Sequence, residues 1–177
     1  SLRWAHFPRY RHTMTTTTLR IEKPRILILD CNRFELATLA DSLRMQGLDI
    51  VGQVSDSEGA LALYRAVHPD AIVINFQGCD HGCVELLESF REIDSSLGIV
   101  LLTDSPDLRL YGIRQEQLPR GTQLIEKSAL AELRDIRSAI DVSLKEGART
   151  AWLAHDWDSS LNSLTDIQIE TLRLLSL

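Results

Sequence analysis

The sequence predicts an α/β fold, a doubly wound five-stranded parallel sheet, and two observations lead there. Short apolar runs at Ile26 to Leu29, Ile50 to Val54, Ala71 to Phe76, Ile99 to Leu102 and Leu124 to Ile125 alternate with helix-like segments. Strands and helices alternating at this pitch make βαβ units, and those give a parallel sheet with helices on both faces. The second observation is the third run: Ala71 to Phe76 is apolar and rich in β-branched residues, as a strand covered on both faces must be.

The helices follow from apolar residues spaced three and four apart. Phe34, Ala37, Leu39 and Leu43 mark the first. Leu61, Leu63, Tyr64 and Val67 mark the second, entered through Asp56 and Ser57 as capping residues. Val84, Leu86, Leu87 and Phe90 mark the third, which begins near Cys83 after a Gly-containing turn. A fourth helix is expected between Pro106 and Pro119, although few apolar residues there fall at helical spacing. The fifth, Ala129 to Leu144, sets Leu130, Leu133, Ile136 and Ile140 toward the sheet. It leaves Ala131, Ala139 and Val142 as a small-residue flank that another helix could approach, which predicts a homodimer through this helix.

Composition bounds the function. A chain of 177 residues, 44% apolar, can fill one core of ordinary size. A net charge of −6 and a pI near 5.3 argue against a broad electrostatic footprint for nucleic acid. No apolar run reaches the ~18 residues that a membrane-spanning helix needs. Three cysteines fit a reducing, cytoplasmic setting better than a disulfide framework. Residues 1–23 mix Trp4, Phe7 and Tyr10 with Arg3, Arg9 and Arg11, show no periodicity and read as a flexible tail, with Met14 a candidate start. Residues 24–148 read as the α/β domain, 149–163 as a linker and 164–177 as the beginning of a further domain.

In an open α/β sheet the ligand crevice lies at the carboxyl ends of the strands. The residue that ends the third strand is Asn75. An aspartate there could act as a carboxylate nucleophile, and a neutral amide cannot.

The order Ile26 to Asp30, Pro69 to Asn75, Ile99 to Thr103 and Leu124 to Lys127 resembles the receiver domain of bacterial two-component response regulators. Leu164 to Ser176 resembles the opening helix of the LuxR-type (NarL subfamily) helix-turn-helix domain. The resemblance implies a phosphorylation site whose acidic pair falls on Asp30 and Cys31, its acceptor on Asn75, its switch hydroxyl on Thr103 and its lysine on Lys127. In receivers the carboxylates hold Mg²⁺, a hard cation that wants oxygen ligands. Here three of them are reduced to one, because Cys31 is soft and Asn75 neutral. Lys127 is then expected to pair with Asp30. The site is degenerate, and the chain reads as a pseudo-receiver with no cofactor and no enzymatic role: no nucleophile with a base and no phosphate-binding Gly-rich loop occurs. The implied function is transcriptional regulation through a homodimer or a heterodimer with another regulator, with DNA contacted by the full output domain.

Cysteine placement supplies the alternative. Cys79, His81 and Cys83 lie within five residues, and the fold brings Cys31 to the same edge of the sheet, so a metal or redox sensor is the competing reading.

Overall fold

The computed structural model describes residues 23–76, 82–105, 107–127 and 135–153. They form β1 (Arg25–Asp30), α1 (Arg33–Met45), β2 (Asp49–Val54), α2 (Ser57–Val67), β3 (Ala71–Asn75), α3 (Cys83–Ile93), β4 (Gly98–Thr103) and β5 (Gln123–Glu126), followed by a helix over 135–153. The five strands are all parallel in the order β2-β1-β3-β4-β5. This is the sheet the alternating pattern predicts. Expected tail residues 1–22 and the expected helix at 164–177 lie outside the described residues.

Each face of the sheet has its own core, because successive strand residues point to opposite sides. Leu27, Leu29, Ile72, Ile74, Ile99 and Leu101 join Tyr64, Leu87 and Phe90 of α2 and α3. Ile26, Ile28, Val73, Val100 and Leu102 join Leu36, Ala40 and Leu43 of α1 and Ile136 and Ile140 of the C-terminal helix. The central strands β3 and β4 are buried at every residue. That satisfies the expectation for Ala71 to Phe76, since Phe76 is buried too.

Local signals set the helix ends. The Asn32 side chain accepts from the Phe34 and Glu35 amides and so caps α1, while Asp56 caps α2 through the Gly59 amide at 2.7 Å. Two elements differ from expectation. Between β4 and β5 there is no α-helix among the described residues, only 3₁₀ turns at Leu108–Tyr111 and Gln115–Gln117. The scarcity of apolar residues at helical spacing leaves nothing to hold a longer helix there. The last helix, in turn, runs on through residue 153 instead of stopping at Leu144. Its glycine does not end it, because Gly147 is packed on the turn before β4: a Cβ there would lie 2.2 Å from the Ser96 carbonyl oxygen.

Candidate functional site

The parallel register brings the carboxyl ends of the strands level. Asp30 is paired with Asn75 across β1 and β3, Asn75 with Leu102 across β3 and β4, and Thr103 with Glu126 across β4 and β5. Asp30, Asn75 and Thr103 are each at most 2% exposed, the polar residues of an otherwise apolar strand layer. A buried polar group must find partners or cost stability, so what each one bonds defines the site.

Asn75 sits at the centre. Its amide nitrogen lies 2.8 Å from Asp30 Oδ2 and 2.9 Å from Glu35 Oε2, donating to both. Ionised carboxylates only accept, so the amide has to turn its NH₂ toward them. The other Asp30 oxygen accepts from the Asn32 amide at 2.8 Å. Glu35 comes from the first turn of α1 and also accepts from Asn32 Nδ2 at 3.1 Å and from Lys127 Nζ at 3.3 Å. Asp104, next along from Thr103, stands 3.6 Å from the same ammonium. The expected Lys127–Asp30 ion pair is therefore not the one formed: the amine reaches Glu35 at 3.3 Å and Asp104 at 3.6 Å, while Asp30 Oδ2 accepts from the Asn75 amide at 2.8 Å.

The remaining expected residues fall into place individually. The Thr103 hydroxyl donates to the Ser105 carbonyl at 2.8 Å and accepts from the Ser105 amide at 3.3 Å, so it is engaged by its own loop. Cys31 is exposed. Cys83 is buried at the start of α3, where burial, reinforced by the nearby Cys31 and Glu85, pushes its thiol up to about 12. A thiol held in the protonated form is a poor metal ligand and a slow nucleophile. Cys79 and His81 lie outside the described residues. Among the described residues no group of His, Cys, Asp or Glu side chains could hold a metal ion.

Glu35 and Asp104 were not identified from the sequence, though Asn32 followed three residues later by Glu35 carries the spacing of a capping box; in the fold Glu35 accepts from the Asn32 side chain, and the Asn32 backbone N–H goes to Asp30. With them the crevice holds three carboxylates, not one. A divalent cation still finds a poor fit, because Asn75 turns its amide nitrogen and not an oxygen toward Asp30 and Glu35. The arrangement is a set of hydrogen bonds centred on an amide, with no carboxylate at the acceptor position.

Sheet order and the placement of these strand ends define a receiver fold, of the CheY-like kind. Solved structures agree. The isolated receiver domain of RcsB from Salmonella enterica serovar Typhimurium, in the presence of a phosphomimetic beryllofluoride, aligns with a TM-score of 0.55 at 14% identity, covering 71% of this chain and 99% of that one. The receiver domain of NarL from Mycobacterium tuberculosis aligns at 0.55 and 17% identity, covering 68% and 98%. RcsB bound to the promoter P1flhDC aligns at 0.56 and 16%, covering 70% of this chain and 61% of that one. No protein-family model and no curated protein matches the sequence. Similarity at these identities establishes the fold. No helix among the described residues is long and apolar enough to cross a membrane.

Proposed function

We propose that this chain is the regulatory portion of a DNA-binding transcriptional regulator of response-regulator type, whose receiver domain acts without an aspartyl phosphate. One observation carries the reading: the side chain at the acceptor position is an amide, and both its N–H groups are spent on Asp30 and Glu35. Phosphoryl transfer needs a nucleophilic oxygen and a cation to neutralise the incoming charge. Asn75 supplies neither, and its hydrogen bonds tie together the carboxylates that would hold the cation.

Support for the output comes from Leu164 to Ser176, which resemble the first helix of a LuxR-type domain, and from the promoter-bound relative of the same receiver fold. Reading a major groove requires a recognition helix, so DNA contact belongs to the full output domain. Control then passes to dimerisation, with itself or with another regulator, or to a partner protein or ligand.

Incubation of the purified chain with acetyl phosphate and Mg²⁺, followed by intact-mass measurement, tests the reading. The expected mass is unchanged. A gain of one phosphoryl group mapped to Asp30, Asn75 or Asp104 overturns it.

A further inference from the structure

Two thiols converge on the carboxyl edge of the sheet. Cys31 directly follows Asp30 and is exposed, whereas Cys83 is the first residue of α3 and only 4% exposed. The strand register tells on which side of the sheet each one lies. Across β1 and β3, Leu29 is level with Ile74 and Asp30 with Asn75, so the next step sets Cys31 beside Phe76, whose amide still bonds to Leu102 of β4. Leu27, Leu29, Ile72, Ile74 and Phe76 all point toward α2 and α3, into one core with Cys83. Alternation along β1 carries Cys31 to that same side. The proximity is felt electrostatically: after burial, Cys31 is the next influence holding the Cys83 thiol protonated.

A metal is a poor use for this pair, since among the described residues no group of side chains could hold one. A disulfide needs no third ligand. Where a compartment keeps thiols reduced, the disulfides that do form are mostly transient and catalytic or sensing. We propose that Cys31 and Cys83 form a reversible disulfide when the chain meets a peroxide, a covalent switch beside the crevice in place of the phosphoryl group that Asn75 cannot accept.

Exposure makes Cys31 the entry point. Its thiolate attacks one oxygen of hydrogen peroxide, the O–O bond breaks and hydroxide leaves, which gives a sulfenic acid. The Cys83 sulfur then attacks the sulfenic sulfur, the S–O bond breaks, and the oxygen leaves as water with the Cys83 proton. Two thiols lose two electrons in all, and the peroxide is reduced to water. The first step also removes the Cys31 charge that disfavours ionisation of Cys83, so the buried partner is eased toward attack only after the exposed one has reacted. Its place next to the target offsets the slowness that burial imposes. The bond would link the residue before the Asn32 cap, which holds Glu35, to a helix start whose N-cap Gly82 brings no side-chain hydrogen bond. The inference rests on the regulator reading only for its use. Thiols that stay reduced and a crevice that takes a phosphoryl group are separate results.

The full chain, reduced and freed of reductant, is treated with a small excess of hydrogen peroxide, blocked with iodoacetamide before unfolding and mapped by non-reducing peptide mass spectrometry. The expected product has lost two hydrogen atoms, carries the Cys31–Cys83 link in about tenfold or greater excess over the other two pairings because the fold holds these sulfurs together, and reverts fully with dithiothreitol. The same oxidation in urea is expected to favour Cys79–Cys83, the shortest loop, so that the pairing reports the fold. Cys31→Ser, at an exposed position, is expected to keep Cys83 reduced at the same dose. Cysteines that stay reduced or oxidise without pairing, a predominant bond to Cys79 or between chains in the folded protein, or a Cys31→Ser chain oxidised at Cys83 as readily as the wild type, overturns the inference.

Discussion

Replacing Asn75 with aspartate is the sharpest perturbation available, since it changes the amide NH₂ to an oxygen at nearly constant shape. The amide donates at 2.8 and 2.9 Å to Asp30 and Glu35, and hydrogen bonds to charged groups contribute about 1.5–3 kcal/mol each. The variant loses both and brings a third carboxylate against the other two, at a position 2% exposed. A loss of about 3 kcal/mol or more at pH 7 is expected, a large share of the 5–15 kcal/mol typical of a domain. Crowding by two like charges raises the folded-state pKa of the new carboxyl above its unfolded value. Its penalty therefore applies above the unfolded pKa of about 3.9 and grows until the pH passes the raised folded value. Acidification from pH 7 toward 4 narrows the gap to the wild type. Three converging carboxylates also suit Mg²⁺, so the cation should raise the variant's midpoint and leave the wild type unchanged. Urea unfolding at pH 7 and pH 5, with and without Mg²⁺, measures all of this. A variant within about 0.5 kcal/mol of the wild type at pH 7, with no pH dependence to the difference, would refute the argument.

Gly147→Ala should cost about 1–3 kcal/mol, more than an ordinary helix substitution, because the new methyl group would meet the Ser96 carbonyl, which belongs to the backbone; thermal unfolding shows whether it instead stabilises, as alanine usually does in a helix. Stability should fall as pH rises from about 9 toward 12: the Cys83 thiol, raised from 9.0 to about 12, stays protonated in the fold while the unfolded chain releases its proton. Tyr64, raised by burial and by Asp94, acts in the same direction. Cys83→Ala should flatten the slope measured by urea titration between pH 8.5 and pH 11, and an unchanged slope would remove Cys83 from the account.

The strands were legible in the sequence because burial on both faces demands uninterrupted apolar runs, and Ala71 to Phe76 can be little else. Asn75 follows from the end of the third run, while Asp30 and Thr103 come from the resemblance to receiver domains; all three end strands, and parallel register levels them. Glu35 was hidden for the opposite reason. It sits on a helix, where polar residues are ordinary, and only the cap at Asn32 sets its direction. The Lys127 pairing depended on that missing residue, because a lysine with a long stem chooses among carboxylates by distance, which a one-dimensional pattern does not carry. The last helix outruns its expected end at Leu144 because the apolar spacing stops there, while Gly147, one turn on, allows a close approach to a neighbouring turn.

That the described residues between β4 and β5 hold no α-helix bears on how the sheet comes apart. β5 pairs with β4 alone and stays half-buried along its whole length, while β1, β3 and β4 lie in the sealed interior. Its backbone amides can meet solvent by a local opening that leaves the rest of the sheet intact, whereas amides of β1 and β3 exchange only when the whole domain opens. The molecule thus carries a gradient of protection from its middle strands to both rims, β2 and β5, with Lys127 just past the end of the second. An opened β5 would also present an unpaired strand edge, the usual template for association with another chain. The 3₁₀ turns at Leu108–Tyr111 and Gln115–Gln117 make up the regular structure described along that link.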